Sequence, residues 1–232
     1  MSRKIGIALA VLVFLTGLGV FAYPHIEGAV LESHAAEAVE SFKNTFPRET
    51  HSSTSVDPLP PEDTFILPER YPELYRAMWE YNRTIYAERQ KGLSDPWAYE
   101  NTSFDLTAYG LETDVFGVLS IPALDLEMPL YLGACYDHMA DGAAHLSQTS
   151  LPIGGDNTNC VIAGHRGWAA AAYFLHLDRL AEGDTVILTN LWETLEYTVS
   201  EIKIIEPNAV HEILIHDCRD VLTLMTCHPP NS

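Results

Sequence analysis

Basic residues are scarce in this chain of 232 residues. It has 13 Lys and Arg against 32 Asp and Glu, which gives a formal net charge of −19. A chain of this charge repels phosphate backbones, so we expect no nucleic-acid partner. The charge is typical of a solvated exterior. A weaker alternative is an acidic surface that attracts a lysine-bearing protein.

Cysteine is also rare, and its spacing is not that of a structural metal site. The chain has four Cys and lacks the short Cys-x-x-Cys spacing of such sites. A zinc site is a minor alternative, and its ligands would be His211, His216, Cys218, Cys227 and His228. The sequence shows no calcium-ligand loop. We therefore predict no cofactor.

Charged side chains are absent from residues 5–23, directly after Arg3 and Lys4. This run is long enough to cross a bilayer as a helix. Basic residues before it favour a cytoplasmic tip at residues 1–4 and a domain outside the cell. A cleaved signal peptide is the alternative, but its apolar core is usually shorter and no small-x-small cleavage site follows. We predict a single-pass membrane anchor at residues 5–23.

Residues 24–70 are predicted to connect the anchor to a folded domain. Apolar side chains recur at helical spacing over residues 26–42, which indicates a helix that continues outward from the membrane. Residues 47–61 are rich in Ser, Thr and Pro, a composition typical of an extended or flexible linker.

Residues 71–100 are predicted to hold a helix and a short segment after it. The helix is expected over residues 72–91, with Pro72 in its first turn and Gly92 behind it. Its apolar stripe is expected to pack on the rest of the domain, and it consists of Leu74, Met78, Tyr81 and Ile85.

From residue 114 onward, short apolar runs alternate with turn residues, and few stretches have helical spacing. One of these runs is TLEYTVSEIKIIEP, residues 194–207, and we expect it to be a strand. Many short strands at such intervals predict a closed or nearly closed β barrel, so the fold class is mainly β. We assign residues 101–232 to this domain.

Two of the apolar runs end on residues that can carry chemistry. The run from Asp220 ends on Cys227, and Pro229 prevents the strand from continuing. The run from Cys160 ends in a Gly-His-Arg-Gly turn that presents His165. A thiol attacks as thiolate and needs a basic or cationic partner, so Cys227 and His165 are a candidate nucleophile and acid–base pair.

These residues resemble the active site of sortases, the cysteine transpeptidases of Gram-positive cell surfaces. Residues 223–227 (TLMTC) match the family signature TLxTC, and the histidine follows another strand in CVIAGHRG, residues 160–167. Residues 150–159 (SLPIGGDNTN) and 177–184 (LDRLAEGD) also match. The resemblance implies an eight-stranded sortase barrel, with Cys227 as nucleophile, His165 as general acid and base, and Thr226 in contact with substrate.

The segment Asp95-Pro96-Trp97 resembles the lid of class C, pilus-building sortases. The resemblance implies that Trp97 covers the Cys227 cleft while Asp95 offers a carboxylate; the plain alternative is a helix-exit turn. Replacing Asp95 and Trp97 with Ala is therefore expected to raise the rate at which a small thiol reagent labels Cys227. An unchanged rate would contradict a lid.

The resemblance also implies substrates and partners. A class C sortase cleaves an LPxTG-type sorting signal through a thioacyl intermediate and passes the acyl group to a lysine amine of a pilin subunit. Two alternatives stay open: an anchoring sortase whose acceptor is a cell-wall precursor amine, and a catalytically impaired sortase-like binding module.

Sortases also carry an arginine on the strand after the catalytic cysteine. Ser232 lies five residues past Cys227, so no residue of this sequence occupies that position and the last barrel strand is missing. If the chain is complete, we expect weak folding or weak activity. Arg166 does not match the family arginine, and we expect it to be a solvated turn residue.

Cys227 must be a free thiol for this chemistry. A disulfide is possible in an extracytoplasmic domain, and a bridge to Cys218 would block Cys227. Cys135 and Cys160 are expected to be small buried residues.

Overall fold

The computed structural model describes residues 3–47, 67–91, 93, 104–167 and 171–229. The linker residues 48–66 and the segment 94–103 lie outside them.

The N-terminal region is one long helix, α1 (Arg3–Thr45), which runs through Pro24 without ending. It contains an 18-residue window with a mean hydropathy of 2.5, and none of that window is buried against the protein. By length and composition this helix is able to cross a membrane. Residues 26–42, predicted to be helical, lie within α1.

The C-terminal end of α1 packs into the domain. Val39, Phe42 and Phe46 are buried in the hydrophobic core. Lys43 Nζ lies 2.7 Å from Glu127 Oε1 on the neighbouring strand. Burying a large apolar side chain contributes about 1.5–3 kcal/mol, so these three residues hold the helix end firmly against the sheet.

The second helix, α2 (Pro72–Ala87), is shorter than predicted. Arg89 and Gln90 have left-handed backbone conformations (φ 53° and 48°), and the Gln90 amide donates to the carbonyl of Ile85. The chain therefore leaves the helix before the predicted end at residue 91. The predicted stripe is confirmed, because Leu74, Met78 and Ile85 are buried and Tyr81 is partly buried.

Among the described residues, seven strands form one sheet that curves into a nearly closed barrel. They are β1 (Val115–Ile121), β2 (Leu126–Leu132), β3 (Ala143–His145), β4 (Thr158–Ala163), β5 (Thr185–Thr189), β6 (Thr194–Thr198) and β7 (Asp220–Met225). A short helix, α3 (Tyr136–Asp141), precedes β3. The spatial order is β6-β5-β1-β2-β3-β4-β7. The pairs β2–β3 and β4–β7 are parallel, and the other pairs are antiparallel.

The strand predicted after residue 194 is shorter than its apolar pattern indicated. Thr198 pairs with Thr185, the first residue of β5, so β6 ends where its partner begins. Ile202 and Ile204 lie beyond this point and are 51% and 73% exposed. Ile202 and Ile204 still alternate with polar residues as in a strand, but they lie beyond the last paired residue of β6.

A buried histidine, His145 at the end of β3, lies next to the strand that leads to the candidate site. Its Nε2 is 3.1 Å from Thr149 Oγ1 and 3.3 Å from the Thr149 carbonyl, and its Nδ1 has no partner among the described residues. The Thr149 hydroxyl donates to the Leu146 carbonyl, so Nε2 is the donor to Thr149. Burial lowers the pKa of His145 to about 4, and the ring is neutral in the folded protein.

This neutral ring predicts that the fold loses stability in mild acid. Between the unfolded pKa of 6.5 and the folded value of about 4, the unfolded chain binds a proton that the folded chain does not. The contribution of neutral His145 to the free energy of unfolding is therefore fully present above pH 6.5. It is lost as the pH falls, by an amount of up to about 3 kcal/mol. Chemical denaturation of the chain in detergent at about pH 7.5 and about pH 4.5 measures this loss.

The variant His145→Gln separates the loss of stability caused by His145 from the loss caused by protonation of carboxylates in acid. A glutamine can still donate to Thr149 but does not titrate, so we expect a smaller loss of stability in acid than in the wild type. His138→Gln, which replaces a half-buried histidine on α3, is the matched control and should keep the wild-type pH dependence. Equal losses in His145→Gln and the wild type would contradict the prediction.

Candidate active site

Cys227 and His165 lie at the same end of two adjacent parallel strands. The last pair in the β4–β7 register is Ala163 with Met225. His165 follows β4 by two residues, and Cys227 follows β7 by the same number. Parallel neighbours are about 4.8 Å apart, so the register brings His165 and Cys227 to one edge of the barrel.

Contacts beyond the strand ends keep this alignment. The Gly164 amide donates to the Met225 carbonyl (3.1 Å), and Thr226 Oγ1 donates to the Gly164 carbonyl (2.8 Å). The Thr226 hydroxyl therefore ties the residue before His165 to the residue before Cys227. Its predicted contact with substrate stays a prediction.

The turn that carries His165 requires a glycine in front of it. A Cβ at Gly164 would lie 2.7 Å from the Phe174 ring, and Phe174 is completely buried. The Phe174 amide in turn donates to the His165 carbonyl (3.0 Å). The aromatic ring thus packs directly under the turn and holds it against the barrel.

Arg166 is not the solvated turn residue that we expected. Its side chain is only 6% exposed, and Nη2 lies 3.0 Å from Asp178 Oδ2. Its Nη1 donates to the carbonyl of Cys227 (3.2 Å) and lies 2.9 Å from His228 Nδ1. Burying a cation is costly unless it is paired, and these three contacts are what allow it here.

The sequence contains little signal for this role of Arg166. Its partners lie 12 and 61 or 62 residues further along the chain. Asp178 sits in a short 3₁₀ helix, Leu177–Arg179, with an exposed side chain. The one signal in the sequence is that Arg166 directly follows His165 in the Gly-His-Arg-Gly turn.

The two candidate groups differ in burial from Cys160 and His145, the buried thiol and the buried imidazole of the barrel. His165 and Cys227 are both half-buried, and burial lowers the pKa of His165 below its ordinary value of 6.5. Cys160, in the middle of β4, is fully buried, and burial raises the pKa of its thiol. The thiol of Cys160 is therefore inert, and its prediction as a small buried residue is confirmed.

All four cysteines are free thiols. Cys218 precedes the six-residue strand β7 and Cys227 follows it, so the two are much further apart than the roughly 6 Å that a disulfide spans between Cα atoms. Cys135 is half-buried and not fully buried as expected. Nothing in this arrangement blocks Cys227 by a bridge to Cys218.

The predicted lid residues Asp95 and Trp97 lie outside the described residues. Their role stays a prediction from the resemblance. The structure does describe α2, which leads to this segment.

A thiol and an imidazole on adjacent strand ends have the layout of a cysteine-dependent acyl transferase. The thiol supplies a nucleophile and the imidazole supplies a proton donor and acceptor. Comparisons with known proteins agree with this layout. A family model described as a sortase domain matches residues 119–232.

Solved structures of sortases also resemble the chain. Sortase C1 of GBS Pilus Island 1 is 25% identical, with 85% of each chain covered and a TM-score of 0.67. Sortase C-1 from Streptococcus pneumoniae is 31% identical, with 66% of this chain and 83% of that one covered and a TM-score of 0.54.

A curated relative is Sortase D of Bacillus subtilis. It is 26% identical over 113 residues, which make up 49% of this chain and 54% of that protein. The chain spans about half the length of the curated relatives it matches. Taken with the solved structures and the family model, these matches show that the chain belongs to the sortase family.

Proposed function

We propose that this protein is a membrane-anchored cysteine transpeptidase that acts on LPxTG-type sorting signals. The observation that carries the proposal is the β4–β7 register, which brings His165 and Cys227 to one edge of the barrel. In the proposed arrangement, residues 5–23 lie in the membrane and the barrel lies outside the cell.

The proposed reaction has two acyl-transfer steps. The Cys227 thiolate attacks the carbonyl carbon of the Thr–Gly bond, and the tetrahedral intermediate collapses as the C–N bond breaks. The His165 imidazolium gives its proton to the departing glycine amine, which leaves a thioester on Cys227 and a neutral imidazole. An incoming amine then attacks the thioester, loses a proton to His165, and releases the thiolate.

The acceptor in this proposal is a lysine amine of a pilin subunit. Support comes from solved structures with the same fold, which include sortases C and one of a pilus island. A cell-wall precursor amine is the alternative acceptor. Thr226 is proposed to contact the substrate beside the nucleophile, and Asp95 and Trp97 are proposed to form the lid.

The test uses the full chain in detergent micelles with a labelled LPxTG peptide. We expect intact-mass spectrometry to find the chain heavier by the acyl fragment that ends in Thr, and peptide mapping to place this mass on Cys227. Adding a lysine-bearing pilin-type peptide or a glycine-bearing amine then tells which acceptor removes the label. A chain that binds the peptide but never gains the acyl mass would overturn the transpeptidase proposal and favour the binding-module alternative.

A further inference from the structure

Two histidines flank the candidate nucleophile. His165 lies across from Cys227 on the adjacent strand end, and His228 follows Cys227 directly in the chain. Position alone allows either imidazole to exchange a proton with the thiol. The contacts of Arg166 distinguish them.

Arg166 determines which nitrogen of His228 carries a proton. A guanidinium has five N–H donors, no acceptor, and a permanent charge. The 2.9 Å contact between Arg166 Nη1 and His228 Nδ1 is therefore a hydrogen bond only if Nδ1 is the acceptor. The ring proton then lies on Nε2, since a proton on Nδ1 would set two donors face to face.

We propose that Arg166 is a positioning residue that occupies Nδ1 of His228, leaves the ring proton on Nε2, and so leaves the acid–base role to His165. In this state the lone pair of His228 Nδ1 accepts from Arg166, and Nε2 carries the ring proton. Such a ring cannot take a proton from the Cys227 thiol. The proposal rests on the proposed acyl-transfer function.

The same arginine also fixes the backbone of the nucleophile. Its Nη1 donates to the Cys227 carbonyl at 3.2 Å, and its Nη2 is held by Asp178 at 3.0 Å. Because the guanidinium is planar and its side chain is 6% exposed, it presents these donors in one geometry. The guanidinium of Arg166, which belongs to the same turn as His165, thus contacts and orients both Cys227 and His228.

The state of the His228 ring can be read directly by nitrogen NMR. The full chain is labelled on its histidines, placed in detergent micelles at about pH 8, above the ordinary histidine range, and compared with His228→Gln to assign the ring. We expect one tautomer, with an unprotonated Nδ1. A proton on Nδ1 in the wild type would overturn the proposal without any variant.

Two variants then test whether Arg166 is the cause. Arg166→Met keeps the length of the side chain but has no donor, so the His228 resonances should move toward an average of both tautomers. Thioacyl formation should fall by about tenfold to a hundredfold as the nucleophile loses its fixed position. Asp178→Asn is the matched control, because it removes the exposed carboxylate charge but keeps an oxygen that can accept from Nη2, so Nη1 stays on His228. The His228 ring resonances of this variant should stay at the wild-type positions.

The two proposals fail in different ways. Unchanged His228 resonances in Arg166→Met would overturn the positioning role, whatever the peptide assay shows. The expected tautomer together with no acyl mass on Cys227 would instead overturn the acyl-transfer proposal, because the NMR measurement involves no substrate. If Arg166→Met does not fold, the wild-type spectrum still decides the state of the ring.

Discussion

Replacing Cys227 with Ala is expected to abolish the acyl–enzyme adduct. The methyl group that remains has no lone pair with which to attack a carbonyl. The other three thiols lie elsewhere in the fold: Cys135 directly precedes α3, Cys160 is buried within β4, and Cys218 is at the opposite end of β7. Loss of the nucleophile in such an enzyme lowers the rate by at least about 10³-fold. The measurement is the intact mass of the chain after incubation with an LPxTG peptide.

The control for this variant is Cys218→Ala. Cys218 is an exposed free thiol ahead of β7, so this variant removes the same group from a place outside the candidate site. We expect it to gain the acyl mass at the wild-type rate. An acyl mass that persists in Cys227→Ala, or that disappears only in Cys218→Ala, would show that Cys227 is not the nucleophile.

Replacing His165 with Ala is expected to lower both the formation and the transfer of the thioester. The departing amine loses its proton donor and the incoming amine loses its acceptor, and such a group contributes about 10²–10⁴-fold to the rate. Single-turnover assays of peptide cleavage and of transfer to an amine measure the two steps separately. His228→Gln is the matched control: a glutamine oxygen can still accept from Arg166, and its rate should stay far above that of His165→Ala.

The pH dependence of the wild-type acylation rate should also report the pKa of His165. The pair reacts after the Cys227 thiol passes its proton to a neutral His165 imidazole. When the pH falls below the His165 pKa, the imidazole is already protonated and cannot take that proton. Because burial lowers this pKa, the acylation rate should rise with pH through a midpoint below 6.5, and this limb should be absent in His165→Ala. A midpoint at or above the ordinary value would contradict the assignment.

Much of the architecture was predictable because its signals are local. The stripe on α2 repeats at helical spacing, and Leu74 and Met78 are indeed completely buried. The apolar runs that end at residues 163 and 225 are strands, and each is stopped by a glycine or by nearby prolines. The pattern after residue 194 misled us, since alternation alone does not supply a partner strand for Ile202 and Ile204.

The pairing of Cys227 with His165 was predictable only through the resemblance to sortases. Chain order places them 62 residues apart, and nothing in either run specifies that β4 and β7 are neighbours. Parallel strands are joined by long connections, so their register depends on the packing of the whole sheet. The structure supplies that register.

The sequence by itself determined the kinds of elements and the residues that can carry chemistry: an apolar helix able to span a membrane, a domain of short strands, and one thiol and one imidazole at strand ends. Periodicity and turn residues act between near neighbours and are visible in any short window. The tertiary structure alone decided that Arg166 is buried, and that it contacts Asp178, Cys227 and His228. The physical reason is that a buried cation is stable only when acceptors surround it. The acceptors of Arg166 come from distant parts of the chain, so only the complete fold brings them together.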